Sequence, residues 1–141
     1  MVCTFIGHRD TPFSIREQLE NEIVSLIHQG VHIFYVGNNG RFDYLVQATL
    51  LELAKTYEKI KFYIVLSTLN EKSLVEENKH TVFPEELAGV PKKFAISKRN
   101  DYLLKKSSFV ISYVSNTFSN SYKFIQKAQK RGIKIINLAK I

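Results

Sequence analysis

Four short polar stretches hold the residues able to do chemistry. Gly7-His8-Arg9-Asp10 places an imidazole, a guanidinium and a carboxylate directly after an apolar run. Arg9 can bind a phosphate bidentately, or pair with Asp10 or a carbonyl at a strand end. His8 can donate to a ligand oxygen or act as acid or base, or serve only to hold a loop. Gly37-Asn38-Asn39-Gly40-Arg41-Phe42-Asp43 joins a second apolar run to a helix-compatible pattern. Gly37 and Gly40 can take positive φ and let a ligand approach the backbone, or can simply close a turn. Amides at the start of the following helix would favour an anion, so Gly37, Asn38, Asn39 and Gly40 form a candidate phosphate cradle. Arg41 and Asp43 flank Phe42. Phe42 would anchor the helix or stack on a base, and Asp43 would bind a ribose hydroxyl or complement the helix N-terminus. Arg99 and Asn100 would close over an anion, or sit as a surface pair. Ser115, Asn116, Ser119, Asn120 and Ser121 offer hydroxyls and amides for an oxygen-rich ligand, or for capping the last helix.

The catalytic candidates are few. Cleavage of a glycosidic bond usually requires two placed carboxylates. Only Asp10 and Asp43 lie near these stretches, with His8 as the one imidazole, and no acid follows Asp101. The P-loop lysine pattern and G-x-G-x-x-G are both absent, which argues against ATP hydrolysis and conventional dehydrogenase chemistry. The single cysteine, Cys3, permits neither an intrachain disulfide nor a cysteine-based zinc site. It reads as a small core residue, and a reducing cytoplasm fits it best. No metal and no cofactor are expected.

Hydrophobic periodicity supplies the elements that must position these stretches. Residues 2–6 form an apolar, partly β-branched run, as expected for a buried strand. Ile15, Leu19, Ile23, Leu26 and Ile27 recur at helical spacing and predict a helix to residue 29, with Gly30 at its end. Residues 31–36 are a second strand. Leu45, Ala48, Leu51, Leu53 and Ala54 line a second helix, and residues 60–66 are a third strand. Residues 67–96 predict a long irregular connection of the functional or mobile kind, with 67–70 as a strand-end loop and 71–79 polar and exposed. A helix over 96–106, a strand over 109–114, a helix over 122–131 and a strand over 133–138 complete the order. The strands are apolar throughout, which indicates burial on both faces. The expectation is an α/β chain of 141 residues forming one doubly wound domain, with five mostly parallel strands and helices on both faces. Ligands of such sheets bind outside the carboxyl ends of the strands, where strand order reverses. Residues 7–10, 37–43, 67–70 and 115–121 should converge there.

The charge is unevenly placed. Residues 1–70 carry six Lys/Arg against seven Asp/Glu, and residues 71–141 carry fourteen against six. The basic half would attract nucleic acid or a phosphorylated small molecule, or form a solvated surface. No apolar run approaches a membrane span, and residues 1–6 are too short for a signal core. Ten Phe and seven Tyr, with apolar helix faces, would allow a homo-oligomer.

Thr4-Phe5-Ile6-Gly7-His8-Arg9, the 34–43 stretch and Phe94-Ala95-Ile96-Ser97-Lys98-Arg99-Asn100 together resemble small bacterial and phage proteins of the SLOG superfamily, in the branch related to YspA and YpsA. The resemblance runs over almost the whole chain. It implies a Rossmann-like fold that binds nucleotides or their derivatives, and it points to a homo-oligomer. The superfamily's cytokinin-activating phosphoribohydrolases carry Pro-Gly-Gly-x-Gly-Thr-x-x-Glu with a catalytic glutamate. The corresponding stretch here, Ser115-Asn116-Thr117-Phe118-Ser119-Asn120-Ser121-Tyr122-Lys123, has neither glycine nor glutamate. Closer relatives often have Gly-Gly-Ala where this chain has Ser119-Asn120-Ser121. The comparison therefore favours binding over catalysis. Other SLOG domains sense cyclic ADP-ribose-type signals in antiviral defence, which implies a ligand of that class, sensed or sequestered. In this expectation Gly7, Gly37 and Gly40 give close backbone approach, Arg9 and Arg99 neutralise phosphate, Asp43 takes a ribose hydroxyl, and Ser115, Ser119 and Ser121 complete the rim. A nucleotide hydrolase and a nucleic-acid-binding module are the alternatives.

Overall fold

The computed structural model describes residues 1–68 and 80–140. Its centre is β1 (Val2–Gly7). The chain continues through a 3-10 turn (Phe13–Ile15), α1 (Arg16–His28), β2 (Ile33–Val36), α2 (Arg41–Ala54) and β3 (Lys61–Val65). Then come β4 (Thr81–Val82), a 3-10 turn (Glu85–Leu87), α3 (Lys92–Lys106), β5 (Phe109–Tyr113), α4 (Asn120–Lys130) and β6 (Lys134–Asn137). The six strands form one sheet in the order β4-β3-β2-β1-β5-β6. Every pairing is parallel.

This order explains the helix placement. The chain moves from β1 outward to β4, then returns to the other side of β1 and moves outward again. Right-handed crossovers put the helices of these two journeys on opposite faces of the sheet. The packing shows that division. Cys3 and Phe5 face a core with Leu19, Ile23 and Leu26 of α1 and Phe42, Leu45, Val46 and Leu50 of α2. Ile6 faces a second core with Leu104 of α3 and Phe124, Ile125 and Ala128 of α4. Alternate residues of β1 thus serve both faces, as its unbroken apolar run requires.

The sheet has six strands where periodicity indicates five. The extra one, β4, pairs only Thr81 with Ile64 and Val82 with Val65. Two residues carry no periodic signal, and Pro84 follows almost at once. The 67–96 connection is therefore less irregular than expected, although residues 69–79, including the expected exposed segment 71–79, lie outside the described part. α3 also starts earlier than residue 96. Pro91 precedes its first residue, where a missing N–H costs no helical bond, and the added turn carries Lys93.

Gly7 is required by space. A Cβ there would lie 2.3 Å from the Phe42 ring, and Phe42 is fully buried. Gly7→Ala is therefore expected to destabilise the protein by about 1–3 kcal/mol through overpacking. Urea unfolding checks it: a Gly7→Ala/Phe42→Leu variant should lose less than the sum of the single losses. Strict additivity would mean that the ring is not the obstacle.

Candidate functional site

The strand order reverses beside β1, between its carboxyl end and that of β5, which is where a doubly wound sheet places its ligand crevice. A cavity of about 750 Å³ lies there. β1 supplies Phe5, Ile6 and Gly7, and the next loop adds His8 and Arg9. Asn39 and Asp43 close one side. The amino-terminal half of α3 contributes Lys93, Ile96, Ser97, Arg99 and Asn100, while α4 contributes Asn120, Ser121, Lys123, Phe124 and Lys127.

Charge dominates this lining. Among the described residues, Arg9, Lys93, Arg99, Lys123 and Lys127 face one acid, Asp43. Lys127 is paired with Asp101 at 3.1 Å. Among the described residues, no carboxylate pairs with Arg9, Lys93 or Lys123. Ser119 caps α4, its Oγ accepting from the Tyr122 N–H. The first turn of that helix, with Asn120 and Ser121, forms part of the wall, and a helix N-terminus favours an anion.

The floor is a buried ionic cluster. Arg99 is only 2% exposed and Asp43 only 7%. Arg99 Nε donates to Asn100 Oδ1 at 3.0 Å, and Nη1 donates to Asn38 Oδ1 and to the Val65 carbonyl, both at 3.2 Å. Asp43 sits in the first turn of α2 and accepts from the Asn39 N–H at 3.0 Å, as a capping acid does. Gly37 makes room for both side chains, since a Cβ there would lie 2.6 Å from Asp43 Oδ2 and 2.8 Å from Arg99 Cζ.

Burial pushes the Asp43 carboxyl up from 3.8 to about 6, against the opposing pull of the Arg99 charge and the Asn39 N–H. The folded chain thus keeps this proton where the unfolded chain has lost it, and stability falls as pH rises from about 4 to about 6. Relative to Asp43→Asn, the wild type is expected to lose on the order of 3 kcal/mol across that window. Urea midpoints from pH 4 to 7 check this. A rise instead would show that attraction to Arg99 outweighs burial.

Several expected site residues have other duties. Of the glycine cradle, only Gly40 has positive φ, at 97°. Its free side is filled by Arg9, whose Cα would be 2.8 Å from an added Cβ. The space at Gly7, Gly37 and Gly40 is therefore taken by the protein's own groups, not by a ligand. Phe42 anchors α2 in the core, so it offers no ring to a base. Arg41 turns away from the cavity, donating to the Thr11 carbonyl at 3.3 Å and lying 4.5 Å over the Phe13 ring. Asp10 is exposed and does not line the cavity.

His8 lines the cavity, but its Nε2 accepts the Ser115 N–H at 2.9 Å and the Asn116 N–H at 3.4 Å. This requires the proton on Nδ1 and engages the other nitrogen in holding the last loop, which disfavours proton transfer there. Ser115, Asn116 and Ser119 shape that loop outside the lining, whereas Ser121 reaches it and approaches the Gly7 carbonyl at 3.5 Å. Asn39 Oδ1 is buried without a hydrogen-bond partner among the described residues, leaving an amide able to engage a polar ligand.

Lys93, Ser97, Lys123 and Lys127 escaped the loop-based reading because they sit on helices. Their signal was the basic excess of the second half, together with the four-residue spacing of Lys123 and Lys127. Cys3 is fully buried, and burial pushes its thiol far up, as suits a core residue. Among the described residues, no cluster of His, Cys, Asp and Glu could hold a metal ion, and no helix is long and apolar enough to cross a membrane. No known protein family and no curated protein matches the chain.

Proposed function

We propose that this protein binds an anionic nucleotide or nucleotide-derived small molecule of the ADP-ribose or cyclic ADP-ribose class, as a sensor or sequestering protein of the SLOG type. Capture of a signal in phage–host defence is the role that suits such a protein. The observation that carries the reading is the cavity of about 750 Å³, lined among the described residues by five cations and one carboxylate, at the reversal of strand order. Its size suits a nucleotide-sized ligand. The cavity gathers like charges, and a ligand with two or three negative charges would offset their repulsion. A second copy of the chain is part of the proposal, since Tyr44 and Leu51 of α2 are 66% and 49% exposed and share one helix face.

Native mass spectrometry of gently purified protein tests the ligand. A stoichiometric small molecule, released on denaturation and bearing phosphate, supports the reading. An empty protein whose melting temperature is unmoved by nucleotides and cyclic ADP-ribose isomers contradicts it.

One feature favours hydrolysis as a second reading. Asp43, the only acid among the described residues of the cavity lining, has a carboxyl pushed up to about 6, in the range where a carboxyl can exchange protons at neutral pH. Turnover of a bound nucleotide, abolished in Asp43→Asn with binding retained, would make the protein an enzyme.

A further inference from the structure

A second cavity, of about 430 Å³, adjoins the first, and Lys127 lines both. The two lie along one seam between α3 and α4. Moving along α3, the first cavity uses Ser97 and Asn100, and the second uses Lys98, Tyr102 and Lys105. Along α4, Lys123 and Lys127 serve the first, while Lys127 and Arg131 serve the second. Lys123, Lys127 and Arg131 are four residues apart, the last just beyond the helix end, so they form a cationic row with steps of about 6 Å.

The second cavity has its own charge surplus. Its two acids are engaged, Glu86 with Lys105 at 3.5 Å and Asp101 with Lys127 at 3.1 Å. Lys98 and Arg131 pair with no carboxylate among the described residues. Leu87 and Tyr102 add apolar and aromatic surface beside them. Cations next to an aromatic face are what a nucleotide unit needs, phosphate on one and base on the other.

We infer that the second cavity is a subsite for a second nucleotide unit, and that the ligand is a dinucleotide whose two halves meet at Lys127. This rests on the proposed nucleotide binding in the first cavity. The first cavity takes one phosphate-bearing unit. Lys98 and Arg131 take the phosphate of the other, and Tyr102 carries its base. Two linked units then bind far more tightly than one.

Titration calorimetry with AMP and with the linear di-adenylate pApA tests the inference, using the full chain. The di-adenylate is expected to bind about tenfold tighter than AMP, or more. A Lys98→Ala/Arg131→Ala variant, whose two changes are both on exposed side chains, should bring the di-adenylate to the AMP level and leave AMP binding in the first cavity unchanged. Equal affinities for the two probes in the wild type would overturn the subsite but leave the first cavity's role standing. So would a variant that weakens both alike, or affinity that keeps rising through tri- and tetra-adenylate as it would for an RNA surface. Binding of neither probe would overturn both proposals.

Discussion

Replacing Arg99 by alanine is expected to destabilise the fold by about 3 kcal/mol or more, the order expected when a buried charged donor that serves several acceptors is removed. The guanidinium is buried and donates to Asn100, Asn38 and the Val65 carbonyl, beside the Asp43 carboxylate. Its removal takes a donor from each of those acceptors at the carboxyl edge of the sheet. Asp43 then holds its proton to a still higher pH, so the stability step assigned to it moves above about 6. Arg99→Lys should not restore the wild type, because one ammonium cannot reproduce the planar fork that reaches three acceptors. Urea unfolding checks the magnitude. By contrast, Arg9→Ala is expected to stay within about 0.5 kcal/mol of wild type, as an exposed side chain should. A loss below about 1 kcal/mol for Arg99→Ala would mean that the cluster does not support the fold.

The largest effect on ligand affinity is expected from Arg9→Ala combined with Lys123→Ala. Each side chain is exposed, lines the cavity and pairs with no carboxylate among the described residues. A charge-assisted bond contributes about 1.5–3 kcal/mol, so the pair should lower affinity for a phosphorylated nucleotide about 100-fold or more. Stability should hardly change, since Arg9 is built into the structure through its main chain, whose carbonyl accepts the Arg41 N–H at 3.0 Å. This separates the roles of Arg9 and Arg99. Arg99 maintains the floor of the cavity, and Arg9 remains available to a ligand.

Much of this architecture is legible in the amino-acid order, because long apolar periods report burial directly. β1, β2, β3, β5 and β6 and the four helices lie where periodicity places them, with ends shifted by a few residues. β4 was hidden by its two-residue length, and the first turn of α3 by the lack of apolar spacing before Ile96. Loop logic found the crevice through Gly7, His8, Arg9, Asn39 and Asp43. It could not tell that Gly7 accommodates Phe42 or that Gly37 accommodates Arg99, because a glycine's neighbour across space leaves no local mark. A buried arginine is equally silent, reading in sequence as one more surface cation. The lysines were visible only as a bulk excess of charge. The fold turns that excess into a site by facing the amino-terminal parts of α3 and α4 toward one end of β1.

On the proposed function, this cationic cavity holds a phosphorylated nucleotide. Its most direct test is titration calorimetry of the wild-type protein with ADP-ribose, repeated in the presence of excess pyrophosphate and with the Arg9→Ala/Lys123→Ala variant. Saturable binding at one ligand per chain is expected, competed by pyrophosphate and weakened about 100-fold or more by the double substitution. Absence of binding, or binding indifferent to both pyrophosphate and the substitutions, would contradict it.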